Sequence, residues 1–250
     1  MPVSNIACAL IAVILIAVPS HSPAQPDAKP EGLVSCWPGE VDGRDTAGTN
    51  HGTLHGGVRV APGKIGNGFE FDGTSGYVLI PHSSSLSFSN ELTIELWYKS
   101  TQTNENDYAL IDKREPEFES VANYGINYAP SGLGAYYNDT AVSDGDDTPF
   151  KSTFEVLRLK PVPAPDLFHH LAVTYEQIHA GQVKLEMFVD GKLVRLRLIS
   201  GLIANAVNSV PVTIGAAAGG LGEFFKGTID DVAIYDRVLT AAEIQKEASR

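Results

Sequence analysis

Apolar and polar positions alternate with a period of two along most of this chain, in short runs separated by Gly, Pro, Asn and Asp. Such alternation sends successive side chains to opposite faces of a strand, so it predicts half-buried β-strands. The runs fall at 33–37, 68–71, 77–80, 92–99, 108–112, 124–128, 134–138, 153–159, 168–175, 184–189, 192–199, 212–214 and 224–235. In the fourth, Leu92, Ile94, Leu96 and Tyr98 alternate with Thr93, Glu95, Trp97 and Lys99, which predicts one face in the core and one half exposed. Asp190-Gly191 lies between two runs and suits the two-residue primed turn that matches strand twist. The end of the chain departs from the β pattern. There Thr240-Ala241-Ala242-Glu243 forms a capping box, in which hydroxyl and carboxylate satisfy each other's backbone N–H and start a helix. Many short strands with one helix predict an all-β fold: an antiparallel β-sandwich of jelly-roll type with one short C-terminal helix.

The chain has 250 residues, enough for one large β domain with a real core or at most two small ones. Its 43% hydrophobic and 19% charged content is that of a globular chain, and 24 Gly and 15 Pro supply the turns. The formal net charge of −12, with no Lys/Arg cluster, argues against a nucleic-acid partner. It leaves cations, neutral ligands such as glycans, and surface proteins as candidates. Residues 6–18 are almost wholly apolar, and Ser22-Pro23-Ala24 offers a small-x-small cleavage site before Gln25. Thirteen apolar residues are short for a membrane span, so the sequence predicts a signal peptide over 1–24 and no membrane insertion after cleavage. The expected location is secreted or cell surface. A Pro-rich linker follows over 25–31, and the domain over 32–250.

Asp230 stands out chemically. On strict alternation it shares a face with Val232 and Ile234, where a carboxylate must be paired, hydrogen-bonded or bound to metal. Glu115, Glu117 and Glu119 form the one period-two acidic run, the spacing a retaining glycosidase needs on a strand. Pro116 inside that run cannot donate to a central ladder, so it reads as a solvated loop. The adjacent His169 and His170 face opposite ways and make no metal site, and His51 and His55 lie in Gly-rich turns. Trp37, Trp97, Tyr136 and Tyr137 could stack on sugars but read first as core. Cys36, the one cysteine left after cleavage, reads as a buried small hydrophobe rather than a nucleophile. No catalytic residues are assigned.

Four stretches carry a resemblance. Gly32-Leu33-Val34-Ser35-Cys36-Trp37-Pro38 with Asp45 and Asn50-His51-Gly52-Thr53-Leu54 is the first, and 62–73 the second. The third is 168–175 with Phe188-Val189-Asp190-Gly191, and the last runs from Val210 to Gln245. In this order they resemble laminin-G-like domains of the concanavalin A-like lectin/glucanase superfamily. Two features depart from the pattern: Cys36-Trp37 stands where an aromatic pair is usual, and a long excursion over 138–166 replaces a short connection. The resemblance implies a structural calcium, with Asp230 as side-chain ligand, helped by Asp45 and by carbonyls near Asn50. Asp231 is the alternative ligand, and the acidic stretch 144–147 reads as solvated. Fold does not fix function. The expectation is a non-enzymatic recognition module for a glycan or an extracellular or surface protein. The alternatives are a glycoside hydrolase and a scaffold domain without soluble ligand.

Overall fold

The computed structural model describes residues 29–103, 106–116, 121–138, 157–179 and 181–250. Its strands are β1 Leu33–Trp37, β2 Thr53–His55, β3 Val58–Pro62, β4 Asn67–Asp72, β5 Tyr77–Ile80, β6 Glu91–Ser100, β7 Tyr108–Arg114 and β8 Ala122–Ala129. They continue with β9 Gly132–Asn138, β10 Leu157–Leu159, β11 His169–His179, β12 Gln182–Val189, β13 Lys192–Ser200, β14 Val212–Ile214 and β15 Lys226–Tyr235, and α1 Ala241–Glu247 closes the chain. Every run expected from the sequence contains a strand. β2 and β3 were not expected, because they are short and lie among the turn glycines Gly52, Gly56, Gly57 and Gly63.

Two antiparallel sheets face each other. One has the order β13-β12-β11-β6-β15-β4-β3, with β1 added on β15; the other has the order β10-β9-β8-β7-β14-β5-β2. Between them lies one apolar cluster that includes Trp37, Phe69, Ile94, Leu96, Ile126, Tyr128 and Tyr137, all buried. Full burial of such a side chain contributes about 1.5–3 kcal/mol. Asp190 (φ 49°) and Gly191 (φ 75°) both take left-handed backbone between β12 and β13, as the primed hairpin turn requires.

Two expectations need correction. The second face of β6 is not half exposed: Thr93, Glu95 and Trp97 are buried there along with the core-facing residues. The reason is the C-terminal segment. Leu239 and Ile244 of that segment pack against Ala172, Phe188, Ala233 and Tyr235, covering the outer side of the first sheet. Thr93 Oγ1 ties that segment down, donating to Arg237 O at 2.7 Å and accepting from Leu239 N at 2.9 Å.

Asp230 does not share a face with Val232 and Ile234. Asp230 pairs with Trp97 and Ala233 with Glu95, so three steps on β15 match two on β6. This is a β-bulge, with Asp231 at φ 47° as the extra residue. It reverses the parity of the strand. Val232 and Ile234 point into the core, while Asp230 points outward with Trp97 and Glu95.

Candidate functional site

The residues assigned to calcium fall in two separate hydrogen-bonded turns. Asp45 Oδ1 accepts from the N–H groups of Cys36, Ala47 and Gly48 at 3.0, 2.9 and 2.9 Å. Its Oδ2 accepts from Asn50 N at 3.0 Å. Burial opposes ionisation, but these donors hold the carboxyl below its ordinary pKa. Asn50 locks the same turn. Its carbonyl accepts from Trp37 Nε1 at 2.7 Å, and its amide donates to Ser35 and Ser85. Asp230 Oδ2 accepts from Lys64 N and Ile65 N at 2.7 and 2.9 Å, while Oδ1 is buried without a hydrogen-bond partner among the described residues. Burial pushes the Asp230 carboxyl up to about 6 against those two donors. Asp231 Oδ2 lies 3.1 Å from the Arg250 guanidinium. Thus Asp45 is saturated by N–H groups, and Asp230 has one oxygen that a cation could take. Among the described residues, no three His, Cys, Asp or Glu side chains gather as a metal cage would need.

A different cluster forms at the end of β7. Asp112 stands opposite Gly125 on β8, and Gly125 opposite Tyr136 on β9. All three point away from the core. The Tyr136 ring crosses Gly125, where a Cβ would come within 2.2 Å of it. Its hydroxyl donates to Asp112 Oδ2, and Asp112 Oδ1 accepts from Ala218 N at 3.4 Å. The Arg114 Nε lies 3.6 Å from Asp112 Oδ2, and its Nη2 donates to Glu223 Oε1 at 2.8 Å. Arg114 also stands 5.8 Å over the Tyr136 ring. Burial pushes the Asp112 carboxyl above its ordinary range, while Arg114 and Tyr136 pull it back.

Above this cluster the loop between β14 and β15 builds a pocket of about 200 Å³. Arg114 and Glu223 form its polar edge, and Pro116, Ala217, Ala218 and Leu221 its apolar wall. Ala218 (φ 50°) and Glu223 (φ 54°) hold left-handed backbone that non-glycine residues adopt only at a cost of about 1–3 kcal/mol each. Strain of this kind collects at ligand clamps. A polar edge facing an aliphatic wall suits a small ring with hydroxyls on its rim and C–H groups on its face.

The sequence did not single out Asp112, Arg114 or Glu223. The expected run ended at Asp112, whereas β7 continues through Lys113 and Arg114, with Asp112 and Lys113 buried. The available signal was the i, i+2 pair of opposite charges, which puts both side chains on one strand face. Trp37, Trp97, Tyr136 and Tyr137 are all buried, and so offer no open stacking surface. His169 and His170 do face opposite ways, toward Tyr98 and Trp97. Burial, chiefly, pushes the Cys36 thiol up to about 12, which leaves it protonated and unreactive at neutral pH. Glu117, Glu119 and the acidic stretch 144–147 lie outside the described residues, as does the signal segment. Among the described residues, no helix is long and apolar enough to cross a membrane.

Solved structures share the fold. Domain 4 of the GH43 extracellular arabinanase AbnA from Geobacillus stearothermophilus, in complex with arabinotriose, superimposes with a TM-score of 0.61 at 20% identity, covering 86% of this chain and 98% of that one. The binding domain of botulinum neurotoxin serotype G gives 0.63 at 13% identity. The serotype D ligand-binding domain in complex with N-acetylneuraminic acid gives 0.62 at 11%. Each covers 87% of this chain, which spans only 50% of either toxin domain. No curated protein sequence matches the chain. A laminin-G-like family model matches residues 72–245, from the end of β4 into α1. The chain therefore belongs to the concanavalin A-like lectin/glucanases superfamily.

Proposed function

We propose that this chain is an exported, non-enzymatic module that recognises a glycan. The pocket between β7 and the loop before β15 supports this reading most directly. Its amphipathic lining matches a sugar ring, and about 200 Å³ is small beside the roughly 300–1,000 Å³ of drug-sized sites. A protein partner would instead need about 800 Å² of surface on each side. The arabinotriose and N-acetylneuraminic acid in related structures agree with a sugar ligand.

A retaining hydrolase needs two carboxyl groups about 5–5.5 Å apart, both able to reach the substrate. Here the Asp112 side chain is fully buried and Glu223 is engaged by Arg114, which favours binding over catalysis. The mature chain should bind glycans on an array and release no reducing sugar from them. Sugar release that Glu223→Gln abolishes would establish the hydrolase instead. Export rests on residues 6–18 and the Ser22-Pro23-Ala24 site. The intact mass of secreted protein should begin at or near Gln25, and full-length protein in the membrane fraction would contradict this.

Calcium enters this reading through Asp230 Oδ1, one of several buried acceptors without a hydrogen-bond partner among the described residues. A cation there needs oxygens beyond Asp45, whose two already take four N–H groups. Native-state binding would stabilise the fold by about 2.7 kcal/mol at a hundredfold excess over Kd. Melting in calcium and in chelator decides the matter. A rise of several degrees that Asp230→Asn removes assigns an ion to this oxygen. Superimposable curves leave Asp230 held by protein donors, Lys64 N and Ile65 N among them.

A further inference from the structure

We propose that the pocket beside Arg114 and Glu223 takes one uncharged sugar unit of a neutral oligosaccharide and disfavours sialylated or uronic acid glycans. This rests on the glycan reading above and adds both the place and the charge class of the ligand.

The argument is one of charge and shape. An arginine that receives an anionic sugar presents its guanidinium fork to the carboxylate as a bidentate donor. Arg114 is arranged otherwise. Glu223 takes one arm at 2.8 Å, and Asp112 lies 3.6 Å from Nε. The positive charge is thus matched from within the protein, and the carboxylate at the pocket edge is that of Glu223. A sugar carboxylate entering there would meet Glu223 across a short gap, an unfavourable like-charge contact. The net charge of −12 adds a long-range field of the same sign. Hydroxyl groups carry no such penalty, since they can donate to the carboxylate and accept from N–H groups.

The apolar wall completes the match. Ala217, Ala218 and Leu221 line the pocket, and Leu221 is 72% exposed at its rim. A sugar C–H face laid on these groups removes apolar surface from water on both partners. The strained backbone at Ala218 and Glu223 holds wall and edge in register, so little ordering remains to be done on binding.

Gly222 provides the test. It lines the pocket, and a Cβ added there meets no atom of the described residues within 4 Å, so Gly222→Phe should fold normally and place its ring at the site. The mature chain is titrated calorimetrically with arabinotriose, xylotriose and mannotriose as neutral probes, and with sialyllactose and trigalacturonate as anionic ones. The proposal expects a neutral trisaccharide to bind, and Gly222→Phe to weaken it at least about tenfold with the melting temperature unchanged. Glu223→Gln, which leaves Arg114 less compensated, should weaken the neutral sugar and strengthen the anionic ones. Preference of the wild type for an anionic probe overturns the charge class. Neutral binding that both variants leave intact overturns the site while keeping the glycan function. Failure of every probe overturns both.

Discussion

Gly125 is where one absent side chain decides the geometry of the site. The Tyr136 ring reaches Asp112 only by lying across it. Gly125→Ala should therefore cost about 1–3 kcal/mol in urea unfolding, the usual scale for overpacking. Unchanged stability would mean that the ring can leave Asp112 freely. Asp230 makes the second argument at this scale. Its folded pKa of about 6 lies above the ordinary 3.8, so the folded state holds this proton more tightly than the unfolded one. The associated stabilisation is fully present below about pH 4 and is lost as pH rises through about 6. In chelator, Asp230→Asn should gain on wild type between these limits, by on the order of 2 kcal/mol. A difference independent of pH would show that burial does not govern this carboxyl. Asp230 was legible as an unusual residue, but its face was not. A bulge leaves no mark in apolar alternation, and Asp231 gives no sign from sequence alone that it takes left-handed backbone.

The elements were legible where pattern and turn chemistry agreed. The hairpin between β12 and β13 has Asp-Gly at its turn, and α1 has its capping box, with Thr240 Oγ1 accepting from Glu243 N and Glu243 Oε2 accepting from Thr240 N. Thr240→Ala should cost about 0.5–2 kcal/mol, as losses of an N-cap do. That loss should appear as early exchange of the amides of α1 and of Leu239, because this segment covers the outer face of β6. Uniform exchange across the first sheet would mean that the segment is not a separate cover. The same covering explains why β6 seemed half exposed from its sequence. Alternation reports polarity, and Thr93 and Glu95 are polar yet buried: Thr93 bonds to Arg237 and Leu239, and Glu95 Oε1 accepts from the Tyr235 hydroxyl. β2 and β3 escaped notice because so few residues in a Gly-rich stretch carry no readable period.

For the molecule as a whole, the sandwich was legible because two facing sheets need many alternating strands, and little else satisfies that pattern. The candidate site was not, because it is made by distant segments. Asp112 and Tyr136 meet across Gly125, and Glu223 arrives from a loop more than a hundred residues away. Strand order creates such neighbours, and a reading along the chain sees only local spacing. The family match likewise fixes the scaffold and does not fix the ligand. The most direct test of the central claim is an amide chemical-shift titration of the domain over 32–250 with a neutral trisaccharide such as arabinotriose. Shifts concentrated at Ala217, Ala218, Gly222 and Glu223, saturating with the sugar, are the predicted result. Saturable shifts confined to another face, or none up to the solubility of the sugar, would contradict it.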